Sequence, residues 1–418
     1  MPERVVITGM GTISPLGLSV KETWEQALKG VSGVAPITLF DASNFLVKIA
    51  CEVKGFNPEN YLQAKEARRR ERFQQFATVA GKEAITQAGL EVREEESYRV
   101  GVIIASSIGG LKIIQDAIDT LREEGPRRIS PFAIPMFMPN GAASLIAMDY
   151  QFHGPSFTVG SACASSADAI GMAWLMIRSG ILDVAITGGS ESTVTAIGIS
   201  TFDRMGAMSH RPVDAASDHQ SFDTPRPFDK NRDGLVMGEG SGILVLETES
   251  HARRRGAQIL AELAGYASTS DAFHITAPDE NGTGGANAIR FALEAGKVNP
   301  DEVDYINAHG TATPLNDLSE TRAIKAAFGN FAYNIPVSST KSMTGHMMGT
   351  TATLEAIFCV QAICQGAIPP TINYQTPDPL CDLDYVPNQA RQKAIRVAIS
   401  NAFGFGGHNS VLVIRRYE

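Results

Sequence analysis

The sequence predicts an α/β protein built from two related halves. Three observations point there. Apolar, β-rich runs alternate with helical segments along the whole chain: "RVVITGMG", "RVGVIIASS", "FTVGSAC", "LDVAITGGSE" and "SGILVLETES". The second half repeats the order of the first. And 418 residues, 44% hydrophobic and 19% charged, suffice for one large core built twice.

The repeat reads element by element. "AELAGYASTSD" (261–271) echoes the opening strand, and "VDYINAHGTAT" (303–313) answers "RVGVIIASS". "IPVSSTKSMTGHMMGTTATLEAIFCVQAICQG" (335–366) answers the strand and helix around Cys163, and "NSVLVIRRYE" closes the chain as "SGILVLETES" closes the first half. Both helical segments open on small residues and stop at a glycine, Gly180 and Gly366. The boundary falls near residue 255, giving halves 1–255 and 256–418. Residues 211–227 read as one polar, proline-bearing loop.

In "FTVGSACASSADAIGMAWLMIRSG" (157–180), Cys163 stands at the seam between a strand and a helix. Ile170, Ala173, Trp174 and Ile177 form one apolar stripe, and Ala167, Leu175 and Met176 leave little polar surface elsewhere, so the helix is expected to be buried. A cysteine at the first turn of such a helix meets the positive end of its dipole, which favours the thiolate and lowers the pKa. Asp168 in the same turn opposes that pull.

Composition excludes several classes. The net charge of −9 argues against nucleic-acid binding. No apolar run reaches the roughly 18 residues of a membrane span, and "MPERVVITGMG" lacks the pattern of a secretory signal. Five scattered cysteines suit a reducing, cytoplasmic location. "TGMGTISPLG" fails as a dinucleotide loop because Ser14 replaces the third glycine, and "GTGG" lacks the Lys-Ser/Thr of a phosphate loop. No spacing supports a metal site. Cys359 and Cys364 read as core residues, and His153, His219, His251 and His274 as loop or capping residues.

Three further stretches carry chemistry. "NAHGTATPLNDLSE" (307–320) ends a strand on His309, "SSTKSMTGHMMG" (338–349) sets Lys341 and His346 before a helix, and "NAFGFGGHNS" (401–410) is a glycine-rich turn with Phe403 and Phe405. Two histidines, a lysine and a cysteine thus recur at matching points of a duplicated architecture, where strand C-termini converge on one pocket.

With "SACAS", "NAHGT", "TKSMTGH" and "FGFGG" in this order, the chain resembles, end to end, the β-ketoacyl-[acyl-carrier-protein] synthases of the condensing-enzyme family, nearest the synthase II type. The resemblance implies the thiolase fold, duplicated halves in five αβαβα layers. It makes Cys163 the acyl-accepting nucleophile, with His309, His346 and Lys341 serving decarboxylation of a malonyl thioester. Asp317 and Glu320 support them, and Phe405 supplies a backbone oxyanion donor and gates an acyl pocket lined by Ile108 and Phe202. Thr311 and Thr313 are expected to hold the phosphopantetheine arm.

The same resemblance names acyl carrier protein as partner. Carrier proteins are acidic, and Lys65, Arg68, Arg69, Arg127 and Arg128 fall at the family's docking patch. Substrates are acyl and malonyl thioesters on the carrier arm, with no further cofactor or metal, and the assembly is expected to be a homodimer. Cys-His-His, rather than Cys-His-Asn, implies elongation of carrier-bound chains in fatty acid synthesis. The rival readings are a polyketide ketosynthase with the same chemistry, a non-catalytic partner subunit, and a thiolase, which needs a second catalytic cysteine. Departures from the family pattern are Asp168 in place of histidine, His408 in place of threonine, Gly206 with Arg204 beside it, and the methionine-rich "PMFMPN" (135–140), where the family builds its dimer interface and the far end of the acyl pocket.

Overall fold

The computed structural model describes residues 3–212 and 223–418, so His219 and most of the expected 211–227 loop lie outside the described residues. Where that stretch re-enters, Thr224 and Arg226 are buried rather than solvated.

Ten strands form one hydrogen-bonded sheet: β1 (Val5–Ile13), β2 (Val100–Ala105), β3 (Ser156–Phe157), β4 (Val184–Glu191), β5 (Gly240–Thr248), β6 (Ala261–Ser270), β7 (Tyr305–Asn307), β8 (Val337–Ser338), β9 (Val397–Gly404) and β10 (His408–Arg415). Their order is β8-β7-β9-β10-β6-β1-β5-β4-β2-β3. Cut between β6 and β1, this is one topology written twice: β3-β2-β4-β5-β1 and β8-β7-β9-β10-β6. The directions repeat too, with parallel pairs β2–β4 and β7–β9 and antiparallel pairs β4–β5 and β9–β10. Within the sheet the two halves meet at β1 and β6 through two residue pairs, Val6 with Glu262 and Ile7 with Ala261.

Seven helices of ten residues or more cover this frame: α1 (Arg72–Ala88), α2 (Leu111–Glu123), α3 (Gly141–Tyr150), α4 (Ser165–Arg178), α5 (Thr283–Gly296), α6 (Pro314–Phe328) and α7 (Thr351–Gln365). α4 and α7 pack on each other and on strands of both halves, forming the middle layer. α1 and α3 cover the outer face of the first half, while α5 and α6 cover the second. The result is the five-layered α/β arrangement of the thiolase fold. All nine residues of β1 are buried, as a strand covered on both faces requires.

The glycines of "TGMG" find their explanation here. A Cβ on Gly9 would stand 2.1 Å from the Ala84 carbonyl oxygen of α1. At the matching place in β6, a Cβ on Gly265 would stand 2.3 Å from the Ala292 carbonyl oxygen of α5. Both glycines let a helix lie directly on its strand, one in each half.

In α4, Ile170, Ala173, Trp174 and Ile177 are all buried, and the Trp174 indole donates to the Leu263 carbonyl across the two halves at 2.9 Å. Burying each of the two isoleucines contributes about 1.5–3 kcal/mol. Leu175 is exposed, so the helix is not covered all round. α7 buries Cys359 but turns Cys364 outward, which corrects the reading of both as core residues. His251, bonded to Glu247, and His274, whose Nδ1 accepts two backbone N–H groups, are the local structural residues expected.

Candidate active site

Cys163 sits in the turn between β3 and α4, just after Ala162, which adopts a left-handed φ of 50°. The turn is clamped by the C-terminal end of β9. A Cβ on Gly404 would press on the Cys163 nitrogen and the Ser161 oxygen at 3.0 Å, so a glycine there lets "FGFGG" lie close on the Cys163 turn. Asp168 locks the turn to the other half: its carboxylate accepts from Ser161, from Tyr266 of β6 and from Ser410 of β10.

The expected depression of the Cys163 pKa does not occur. α4 begins two residues later, at Ser165, and burial pushes the thiol up to about 11. The backbone N–H of Phe405, the charge of Lys341 and the residue's own N–H pull the other way without prevailing. The sulfur is therefore a thiol at neutral pH. Because the thiolate fraction grows with pH below that pKa, alkylation of Cys163 by iodoacetamide is expected to accelerate about tenfold per pH unit from about pH 7 to 9.5. A plateau near neutral pH would contradict this.

The loop after β7 presents His309, and the turn before α7 presents His346. Ligand atoms of Cys163, His309 and His346 lie within 4.8 Å of one another, the only such Cys/His/carboxylate triplet among the described residues. The two imidazoles stand edge to face, with centroids 5.4 Å apart and planes at 86°. Glu320 fixes the first: its two oxygens accept the N–H groups of His309 and Gly310 at 2.8 and 2.7 Å. Asp317 pins the same loop by accepting from Ala312 and Phe228 at 3.2 and 2.7 Å. Lys341 and Glu355, both fully buried, pair at 2.5 Å. Burial, reinforced by the Lys341 charge, holds both imidazoles well below the usual histidine range, so both are neutral. His309 Nδ1 and His346 Nε2 are buried and have no protein partner.

A pocket of about 330 Å³ opens from this cluster, lined by Cys163, His309 and His346 and also by Thr311, Thr313, Phe202 and Phe405. Phe405 stacks on Phe202 in the pocket lining, with centroids 6.3 Å apart. Ile108 is half-buried outside this lining, with its N–H on Glu191 at 3.4 Å. The sequence reading missed Asp271 and Asn409, which meet in the pocket wall at 2.7 Å. The signal for Asn409 lay inside the quoted "GGHNS".

In the basic run "KEARRRER" (65–72), two of the arginines turn inward. Arg70 is buried against Asp149 at 2.7 Å, and Arg72 pairs with Glu239 at 2.6 Å. Lys65, Arg68 and Arg69 remain exposed, as do Arg127 and Arg128. Arg69 lies over the Phe132 ring at 4.6 Å, and Met136 of "PMFMPN" lines the same surface pocket as Arg68. None of the five lines the Cys163 pocket of its own chain.

This fold and site define a condensing enzyme, and comparison with known proteins agrees. Residues 2–252 match the β-ketoacyl synthase N-terminal domain and residues 260–375 its C-terminal domain. The chain belongs to the β-ketoacyl synthase family. It is 47% identical over 416 residues to 3-oxoacyl-[acyl-carrier-protein] synthase 2 of Synechocystis, covering 100% of this chain and 99% of that protein. The protein of the same name from Staphylococcus aureus is 46% identical over 417 residues, with the same coverage. Among solved structures, a β-ketoacyl synthase from Burkholderia phymatum superposes with a TM-score of 0.90 at 35% identity over both full chains. So does a complex of a type II PKS acyl-carrier protein with its ketosynthase bound to the hexaketide, with the same score, identity and coverage.

Proposed function

We propose that this chain is a 3-oxoacyl-[acyl-carrier-protein] synthase that elongates fatty acyl chains by decarboxylative condensation with malonyl-carrier protein. The observation that carries the reading is the meeting of Cys163 with two neutral imidazoles within 4.8 Å, at the base of a pocket. The Cys163 sulfur attacks the acyl thioester, its proton ends on the departing pantetheine sulfur, and an acyl thioester is left on Cys163. Malonyl-carrier protein then enters. Its carboxylate leaves as carbon dioxide, and the electron pair becomes an enolate whose oxyanion is held by His309 and His346 N–H groups. The enolate carbon attacks the Cys163 thioester. That second oxyanion rests on the backbone N–H groups of Cys163 and Phe405 before the Cys163 sulfur leaves and is reprotonated. Lys341 keeps the imidazoles neutral, and Asp317 and Glu320 fix the His309 loop.

Thr311 and Thr313, whose hydroxyls stand 2.9 Å apart in the pocket wall, bond the phosphopantetheine arm. Phe405 swings from Phe202 to admit the acyl chain, and Ile108 lines the space beyond. Thioester activation and loss of carbon dioxide drive the reaction, so no other cofactor is needed. The polypeptide divides into halves 1–255 and 256–418, in keeping with the repeated strand order and the two family domains. It works in the cytoplasm, consistent with five free cysteines and the absence of any described helix long and apolar enough to cross a membrane. It acts as a homodimer. β3 is an open sheet edge, and Ile118, Leu121, Ile134 and Met148 of the same half are exposed apolar side chains.

Acyl carrier protein docks on Lys65, Arg68, Arg69, Arg127 and Arg128. Purified protein given malonyl-carrier protein and acyl-carriers of graded length is expected to make 3-oxoacyl products two carbons longer. Preference for polyketide starters over saturated chains would instead favour a polyketide ketosynthase. Charge reversal at Arg68, which bonds no carboxylate, is expected to raise KM for the carrier about fivefold or more at low salt, with the gap closing as salt rises. An unchanged KM would remove Arg68 from the docking surface.

A further inference from the structure

Two neutral imidazoles can both donate to one oxyanion only if each carries its single hydrogen on the nitrogen that faces the pocket. For His346 the nitrogen free to meet a ligand is Nε2, which has no protein partner, whereas Nδ1 lies 3.0 Å from the Thr351 hydroxyl. That hydroxyl has one hydrogen and two possible acceptors, His346 Nδ1 and the Met348 carbonyl at 3.2 Å. The choice between them sets the histidine tautomer. If the hydrogen goes to Met348, Nδ1 carries its own hydrogen and Nε2 offers only a lone pair to the enolate.

The surroundings decide it. The Met348 carbonyl already accepts the backbone N–H of Thr351. His346 Nδ1 has no other partner and is the nearer acceptor. The ring nitrogen is satisfied either as acceptor or as donor to the Thr351 hydroxyl, but only as acceptor does it leave the hydrogen on Nε2, the form the oxyanion role requires. The carbonyl then loses only a second bond. Thr351 is also the only one of the three threonines in "TTAT" with this use: the buried hydroxyls of Thr350 and Thr353 have no partner.

We propose that Thr351 is a positioning residue that donates to His346 Nδ1 and so keeps the hydrogen on Nε2, aimed at the enolate oxygen. The inference rests on the oxyanion role given to His346 above.

The test combines nitrogen-15 NMR of histidine-labelled protein with separate assays of the two half-reactions, using Thr351→Val and Thr351→Ser. The His346 resonances are identified as those missing from His346→Gln. Wild type is expected to show the Nε2–H tautomer. In Thr351→Val the signals move toward a tautomer mixture, and kcat for malonyl-carrier decarboxylation falls about tenfold with KM and Cys163 acylation unchanged. Thr351→Ser restores both. An Nδ1–H tautomer in wild type overturns the proposal. So does a Thr351→Val protein with unaltered tautomer, whether its rates are normal or both half-reactions fall together through disturbed packing. A wild-type protein that shows the Nε2–H tautomer but releases no carbon dioxide from malonyl-carrier protein would instead overturn the functional reading while leaving the assignment of the hydrogen intact.

Discussion

Replacing Cys163 by alanine is expected to abolish chain extension, with a fall of at least about a thousandfold, because no other nucleophile can hold the acyl group. Cys51, Cys359 and Cys381 are buried away from the pocket lining, and Cys364 faces outward. The same variant is expected to keep releasing carbon dioxide from malonyl-carrier protein, since neither imidazole depends on the sulfur for its position. His309 is set through Glu320, and His346 through the turn bonded to Thr351. Product made by Cys163→Ala at a rate near wild type would show that the acyl chain is held elsewhere. Loss of both activities would show that the site cannot be divided in this way.

The second large effect is at the histidines. His346→Ala or His309→Ala removes one of two donors to the enolate, worth about 3 kcal/mol, or 100- to 1,000-fold in decarboxylation. Transfer of an acyl group onto Cys163 is expected to survive His346→Ala within a few-fold. The pH profile adds an independent check. Both imidazoles are held well below the usual histidine range by burial and then by Lys341, so protonation, and loss of the working neutral form, comes only well below about pH 6.5. Decarboxylation by the wild type is therefore expected to run level from about pH 8 through 6.5. A falling limb centred near 6.5 would mean that an imidazole titrates as if exposed.

Much of this was legible in the sequence because the signals are local. The strand-to-helix seam at Cys163, the strand end at His309 and the lysine and glycine before His346 each advertise a position that backbone geometry then delivers. The duplication was legible for the same reason: β1 and β6 keep their glycines, Gly9 and Gly265, at the same step because each must admit a helix. What escaped depends on distance along the chain. Asp168 is held by Tyr266 and Ser410, 98 and 242 residues away, so its role as the fastener of the nucleophile turn could not be read from "SSADA". Local reasoning also misjudged the thiol, because a helix dipole can be inferred from sequence whereas complete burial around Cys163 cannot. Within "KEARRRER" nothing local separates Arg70 and Arg72, which turn inward to Asp149 and Glu239, from their exposed neighbours. Periodicity placed Cys364 in an apolar helix but could not say which side of α7 lacks a neighbour.

The central claim is that Cys163 carries the growing chain between two half-reactions. Its most direct test is the mass of the protein and of its Cys163 peptide after mixing with an acyl-carrier protein, before and after malonyl-carrier protein is added. One acyl group is expected on Cys163 alone, discharged on the second addition with one carbon dioxide released per 3-oxoacyl product. Product formation without an adduct at Cys163, or with the acyl group on another residue, would contradict the mechanism.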